Sequence, residues 1–112
     1  VYTIERQKLL YDNLKSLNPP LNYRIRLFHG DGYAGLPAYA PFDRILITAA
    51  APFIPEALVS QLKVGGVFVA PVGKSDLQIM TCIVKISETE ITTETHGTFR
   101  FVPMLADKAK DL

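Results

Sequence analysis

Three stretches of this chain combine residue types whose spacing could do chemistry. Glu5 ends the run Tyr2-Thr3-Ile4-Glu5, which reads as a strand feeding a helix. A carboxylate at the carboxyl end of such a strand can accept both hydroxyl hydrogens of a ribose, as in nucleotide-type cofactor sites. The same carboxylate could instead cap the amino end of the following helix, and both readings stand. Gly30-Asp31-Gly32 closes a second strand-like run. Its glycines permit a tight turn and close backbone approach, and Asp31 can accept hydrogen bonds from an exocyclic amino group. Alone this tripeptide is an ordinary turn; with Glu5 at the end of a neighbouring strand it describes an adenosine-shaped site. Thr48, Ala49 and Ala50 form the third stretch. They follow the apolar residues Ile45, Leu46 and Ile47 and leave room where open α/β sheets bind ligands, outside the carboxyl ends of the strands.

The remaining reactive side chains carry weaker readings. His29 and His96 each fit a partly exposed strand end. Arg100 could pair with a carboxylate substrate, or lie on the solvent face of a strand between Phe99 and Phe101. Tyr33, Tyr39 and Phe42 could close over a ligand or pack beneath their loop. No Ser-His-Asp order or pair of carboxylates stands out. Cys82, the one cysteine, sits in the apolar run 79–86, where a buried small hydrophobe is expected and neither an internal disulfide nor a metal site can be built.

These residues need a scaffold, and the hydrophobic pattern supplies one. Residues 1–5 read as a strand with no lead-in turn or cap, so the chain looks cut there. Residues 6–17 follow as a helix with Leu10, Leu14 and Leu17 on one face, stopped by Asn18-Pro19-Pro20. Residues 23–28 alternate as a strand near a sheet edge, and 33–41 form a loop. Three consecutive apolar residues at 45–47 suit a central strand covered on both faces. A second helix starts at Pro55 and Glu56, buries Ala57, Leu58 and Leu62, and is capped by Gly65-Gly66. The strand 67–72 completes a βαβ unit. Residues 78–86 and 91–96 read as an antiparallel hairpin, Arg100 to Met104 closes the structured part, and 105–112 is a fraying helix or disorder.

Composition bounds the function. A chain of 112 residues, 48% hydrophobic and with a net charge of +1, is a single soluble domain. Its cations form no stripe or run, which argues against nucleic acid and membrane surfaces as partners. No apolar stretch approaches the roughly 20 residues of a membrane span, and no signal peptide opens the sequence, so a cytoplasmic location is expected.

The order of these segments is similar to that of a known family. Glu5 in Tyr2-Thr3-Ile4-Glu5-Arg6, His29-Gly30-Asp31-Gly32, the run from Ala40 to Ala50, Ile54-Pro55-Glu56-Ala57-Leu58 with Gln61 to Gly66, Pro71-Val72-Gly73 and Arg100-Phe101-Val102-Pro103-Met104 resemble protein-L-isoaspartate O-methyltransferases along nearly the whole chain. The resemblance implies an α/β, partial Rossmann-like methyltransferase sheet with a C-terminal antiparallel hairpin. It implies S-adenosylmethionine as cofactor and the free carboxylate of isoaspartyl residues in damaged proteins as substrate. Glu5 would hold the ribose hydroxyls, and Gly30, Asp31 and Gly32 would line the adenine pocket. Thr48, Ala49 and Ala50 would border the transfer site, with the backbone of Phe101 and Val102 gripping an extended peptide. No catalytic side chain and no metal are implied, because a carboxylate is already a competent nucleophile toward a sulfonium once aligned.

Only the carboxyl-terminal half of the family's domain is matched. The family's first strand and glycine-rich loop have no counterpart in the sequence, and the resemblance puts that strand between the strand of Glu5 and that of residues 45–47. Residues 1–112 are therefore expected to form one partial domain that alone binds cofactor weakly or not at all and does not methylate. Its exposed sheet edges invite a second copy, giving a homo-oligomer. A non-catalytic Rossmann-like interaction module is the alternative; a nucleotide-cofactor oxidoreductase half-domain is permitted by Glu5 but has no dinucleotide fingerprint.

Overall fold

The computed structural model describes residues 1–17 and 24–105. The proline stop after the first helix and the charged tail beyond Leu105 lie outside them. One compact unit holds Val1–Gly35 and another holds Leu36–Met104.

The first unit is a βαβ arrangement. β1 (Tyr2–Glu5) and β2 (Arg26–His29) pair in parallel, from Tyr2 opposite Arg26 to Glu5 opposite His29. Between them α1 spans Lys8–Lys15, shorter at both ends than the leucine spacing predicts. No α1 residue is buried: Leu10 is 45% exposed and Leu17, just past the helix, 44%. Tyr11 packs instead. Its ring lies 5.6 Å from that of His29, with the ammonium groups of Lys8 and Lys15 at 5.3 and 5.4 Å.

The second unit is a four-stranded sheet of order β3-β4-β5-β6, comprising β3 (Phe42–Leu46), β4 (Leu62–Val72), β5 (Gln78–Ser87) and β6 (Glu90–Phe99). β3 and β4 are parallel and joined by α2 (Glu56–Ser60), the expected right-sized crossover of a βαβ unit. β4, β5 and β6 are antiparallel, with Ser87 opposite Glu90 across the hairpin turn. Ile47, Ala51, Leu58, Leu62, Phe68, Ala70 and Ile83 form the core. Full burial of Phe68, Leu62 and Ile83 contributes roughly 1.5–3 kcal/mol apiece.

Four expectations are corrected. β3 is an edge strand, not a central one, since among the described residues it pairs with β4 alone; its two faces also differ, with Leu46 68% exposed on one and Ile47 buried on the other. Ala57 is exposed, since the five-residue helix meets the core through Leu58 and the partly buried Val59, and Leu62 belongs to β4. Cys82 is half-buried, because it stands on the opposite side of β5 from the buried Thr81 and Ile83. Gly65 and Gly66 lie inside β4, where they form an irregularity: Phe42 pairs with Leu62 but Arg44 with Val67. Gly65 takes φ +84°, and a Cβ on Gly66 would stand 2.7 Å from the Lys63 carbonyl oxygen and 3.0 Å from that of Asp43. The helix ends without them, through Gln61.

A lysine inside this sheet was not foreseen. Lys85 is 7% exposed, and its Nζ donates to the carbonyl oxygens of Leu62 at 3.0 Å and Val59 at 3.5 Å. It satisfies carbonyls where α2 gives way to β4, the end of a helix that favours a cation. No helix among the described residues is long and apolar enough to cross a membrane.

The backbone crowding at Gly66 makes a direct prediction. Gly66→Ala should destabilise the fold by about 1–3 kcal/mol, because two of the three opposing atoms are main-chain oxygens that cannot rotate away and the third belongs to the buried Leu62. Urea unfolding followed by circular dichroism measures it; an unchanged midpoint would refute the crowding.

Candidate functional site

The first cluster is at the carboxyl end of the parallel pair β1 and β2. Both strands stop at the same level, and their exits are tied together. The Gly30 amide donates to the Glu5 carbonyl oxygen at 3.1 Å, and His29 Nε2 lies 3.0 Å from the Arg6 carbonyl oxygen. Glu5, Gly30, Asp31 and Gly32 are thereby brought to one edge, all half-buried.

Each acidic side chain spends one oxygen on the backbone. Glu5 Oε1 accepts the Gln7 amide at 3.1 Å, so the helix-end role weighed for Glu5 is realised with one oxygen. Among the described residues Oε2 has no protein partner. Asp31 Oδ1 accepts the Tyr33 amide at 2.9 Å and its carbonyl oxygen accepts the Ala34 amide at 3.1 Å, which fixes the turn as an Asx turn. Burial, with the Asp31 carboxylate beside it, raises the Tyr33 phenol above its usual pKa. Among the described residues a Cβ on Gly30 would meet only Ile4 Cγ2, at 4.0 Å, so none of them demands glycine there.

The second cluster lies in the other unit, beyond the end of β3. There the chain divides its pairing between two adjacent alanines. Ala51 donates to the Pro71 carbonyl oxygen at 2.8 Å and accepts from the Gly73 amide at 2.9 Å, extending the parallel register with β4. Ala50 faces the other way. Its amide donates to Val102 O at 2.6 Å and its carbonyl oxygen accepts the Met104 amide at 2.8 Å.

The structure therefore joins Ala50 to Phe101-Val102, two stretches read separately as substrate-facing. Ala50 is 5% exposed and Ala51 fully buried, so the room left by these small residues is filled by residues 102–104 and β4 rather than left open. Thr48 is exposed and Ala49 half-buried. Val102 is 72% exposed.

A cavity of about 670 Å³ opens beside the junction, between residues 100–104 and the loop of Gly73, Lys74, Ser75 and Asp76. Its size falls within the range of ligand sites. Gly73 lets the loop fold back: a Cβ there would stand 2.8 Å from the Leu77 carbonyl oxygen. His96 takes no part in either cluster; it is exposed, with Nε2 3.4 Å from Glu94 Oε2. Among the described residues no three His, Cys, Asp or Glu side chains are grouped to hold a metal ion.

Comparison with known proteins gives these clusters a context. The family model described as Protein-L-isoaspartate(D-aspartate) O-methyltransferase matches residues 1–109. A protein-L-isoaspartate O-methyltransferase of Flavobacterium johnsoniae is 51% identical over 109 residues, covering 96% of this chain and 51% of the relative. That of Methanopyrus kandleri is 39% identical over 110 residues, covering 96% and 49%. The chain thus spans about half the length of the curated relatives it matches. Among solved structures, one described as a protein-L-isoaspartate O-methyltransferase of Plasmodium falciparum, in complex with S-adenosyl-L-homocysteine, superposes with a TM-score of 0.77. Identity there is 25%, with 94% of this chain and 52% of that chain covered. A second protein-L-isoaspartate O-methyltransferase structure gives a TM-score of 0.81 at 24% identity, over 96% of this chain and 34% of that one.

Sequence reading missed one residue that builds the second cluster. Gln78 is 2% exposed; its Oε1 accepts the Phe101 amide at 2.8 Å and its Nε2 donates to the Ser75 carbonyl oxygen at 2.7 Å. One side chain thus holds both walls of the cavity. The signal was present: Gln78 stands between Leu77 and Ile79, which are 51% and 45% exposed, so the amide points inward where its apolar neighbours do not. Gln78→Leu should cost about 2–4 kcal/mol by leaving two backbone groups without partners. Hydrogen exchange at the Phe101 amide should rise more than elsewhere in the sheet; equal protection in both proteins would exclude this role.

Proposed function

We propose that this chain, which belongs to the protein-L-isoaspartate(D-aspartate) O-methyltransferase family, is the portion of such an enzyme that carries the nucleoside and peptide contacts. The whole enzyme would methylate the free carboxylate of isoaspartyl residues in damaged proteins, and S-adenosylmethionine would supply the methyl group. The observation that carries this reading is the stitched carboxyl end of β1 and β2, where two acidic side chains each keep an oxygen beyond those fixed to the backbone.

The residues present fit the nucleoside half of that cofactor. Glu5 would hold the ribose hydroxyls through the carboxylate oxygen not engaged by Gln7. Asp31 would accept from the adenine amino group, with Gly30 and Gly32 permitting close approach. In the other unit, Thr48, Ala49 and Ala50 would border the transfer site. Phe101 and Val102 would present main chain to an extended peptide, their position set by Ala50 and Gln78. The chain's own contribution is alignment, since the attacking carboxylate needs no base to remove a proton.

The same reading accounts for β3 at the sheet edge. A further strand, supplied from outside these residues, would pair with the open edge of β3. Alone, the 112-residue chain would bind cofactor weakly and transfer no methyl group; its open edges would favour self-association. A cytoplasmic location and isoaspartyl proteins as partners complete the proposal.

Calorimetric titration with S-adenosylhomocysteine tests it. The chain should give weak saturable heat, and Glu5→Ala should weaken binding about 10- to 150-fold, the equivalent of one lost charge-assisted contact. Binding indifferent to Glu5→Ala would remove the ribose assignment. Methyl transfer to an isoaspartyl peptide by the chain alone would refute its dependence on further residues.

A further inference from the structure

The cavity beside Phe101 and Val102 is charged in a way that the methyl-transfer reading does not require. Lys74 comes from one wall and Arg100 from the other, with Asp76 the single carboxylate among the lining residues. Lys74 and Arg100 are exposed, and among the described residues neither takes part in an ion pair. The other cations of this unit differ. Lys63 lies 3.7 Å from Asp43, Lys85 is enclosed beneath Leu62, and Arg44 turns onto the Asp43 carbonyl oxygen at 2.8 Å.

The loop that carries Lys74 is held in place. Ser75 O accepts from Gln78, Ser75 Oγ lies 3.3 Å from Leu77 O, and the Gly73 amide is bonded to Ala51. Arg100 precedes Phe101, whose amide is bonded to the same Gln78. Both cations, neither in an ion pair among the described residues, therefore line one cavity on segments whose backbone is tied through one buried amide.

The geometry points to Lys74 and Arg100 as specificity-determining residues that favour an acidic side chain next to the damaged residue of the peptide. This rests on the proposed function. An extended peptide advances about 3.3 Å per residue, so a chain lying along Phe101 and Val102 places a flanking side chain over the cavity. A volume of about 670 Å³ accommodates a glutamate or aspartate side chain with water. With two cations against the one carboxylate of Asp76, the local field favours an anion. Because the site is open to solvent, each cation should contribute about threefold in affinity, and salt should erode the effect.

Fluorescence anisotropy of labelled six-residue isoaspartyl peptides tests this with the 112-residue chain. Two peptides differ only by glutamate or glutamine at the positions flanking the isoaspartyl residue. The glutamate peptide should bind about tenfold tighter at low salt. That ratio should fall to about three in Lys74→Gln or Arg100→Gln, and to one in the double variant or at high salt. Exchanging the peptide residue leaves the protein untouched, so the first comparison does not depend on any variant folding. Equal affinity for the two peptides, or binding of neither, overturns the inference. Peptides with ordinary aspartyl linkage separate the two readings. An acidic preference that persists while isoaspartyl and aspartyl peptides bind alike supports the charge selection and defeats the isoaspartyl assignment.

Discussion

The second unit depends on two neighbouring alanines that hydrogen-bond in opposite directions. Ala51 continues the parallel register of β3 with β4, while Ala50 pairs with the chain more than fifty residues later, at Val102 and Met104. Consecutive residues of an extended chain direct their amides to opposite sides, so a strand end can serve two neighbours at once. Both flanking segments approach closely enough to leave the two side chains 5% and 0% exposed. A larger residue at either position would have to displace its neighbours. The junction places the segment of Phe101 and Val102 beside the strand end, and the cavity exists because that segment and the loop after β4 are both anchored to this pair.

Hydrogen bonds of this kind are worth little each, about 0.5–1.5 kcal/mol net, yet their loss is costly where the partner is enclosed. That asymmetry explains the use of buried amides here. Gln78 and Gln61 are 2% and 7% exposed, and each accepts a backbone amide from a distant loop, Phe101 and Leu36 respectively. A glutamine offers an acceptor and two donors without the desolvation cost of a charge. Lys85 is the exception, and its ammonium is enclosed only because it meets carbonyls at the end of α2.

The sequence made the βαβ order legible, because an apolar run at 45–47, a proline-initiated turn of helix and a second apolar run at 67–72 follow one another. The hairpin of β5 and β6 was legible for the same reason, although β6 runs to Phe99 rather than ending at His96. What failed was any inference that needed a neighbour. Residues 45–47 record an environment covered on both faces, whereas in this chain Leu46 is 68% exposed on one of them. The leucines of α1 record a buried face, yet Leu10 and Leu17 are exposed. Composition states what a surface is suited to, and only the neighbours decide whether it is met. Gly65-Gly66 shows the local form of this limit. A glycine pair after a helix reads as a cap, and the same pair produces a strand irregularity when the register must shift against β3.

The candidate site divides along the same line. Glu5 and Asp31 could be found from sequence because strand ends and turns are local features. The convergence of Ala50 with Val102 could not, since it is a single bridge between distant residues with no periodicity to announce it. Gln78 and Lys74 follow from that bridge, and sequence reading gave Gln78 no role beyond a strand start. On the proposed reading this division has a chemical logic. A reaction whose nucleophile is already ionised needs reactants held in line, and effective concentration is supplied by rigid main chain rather than by a titrating side chain. Recognition through main chain would also suit a substrate whose defect lies in its own backbone: on that reading, hydrogen bonds along Phe101 and Val102 would follow the path of a peptide without reading its side chains. Selectivity for sequence must then come from groups set off from that path, which is where Lys74 and Arg100 stand.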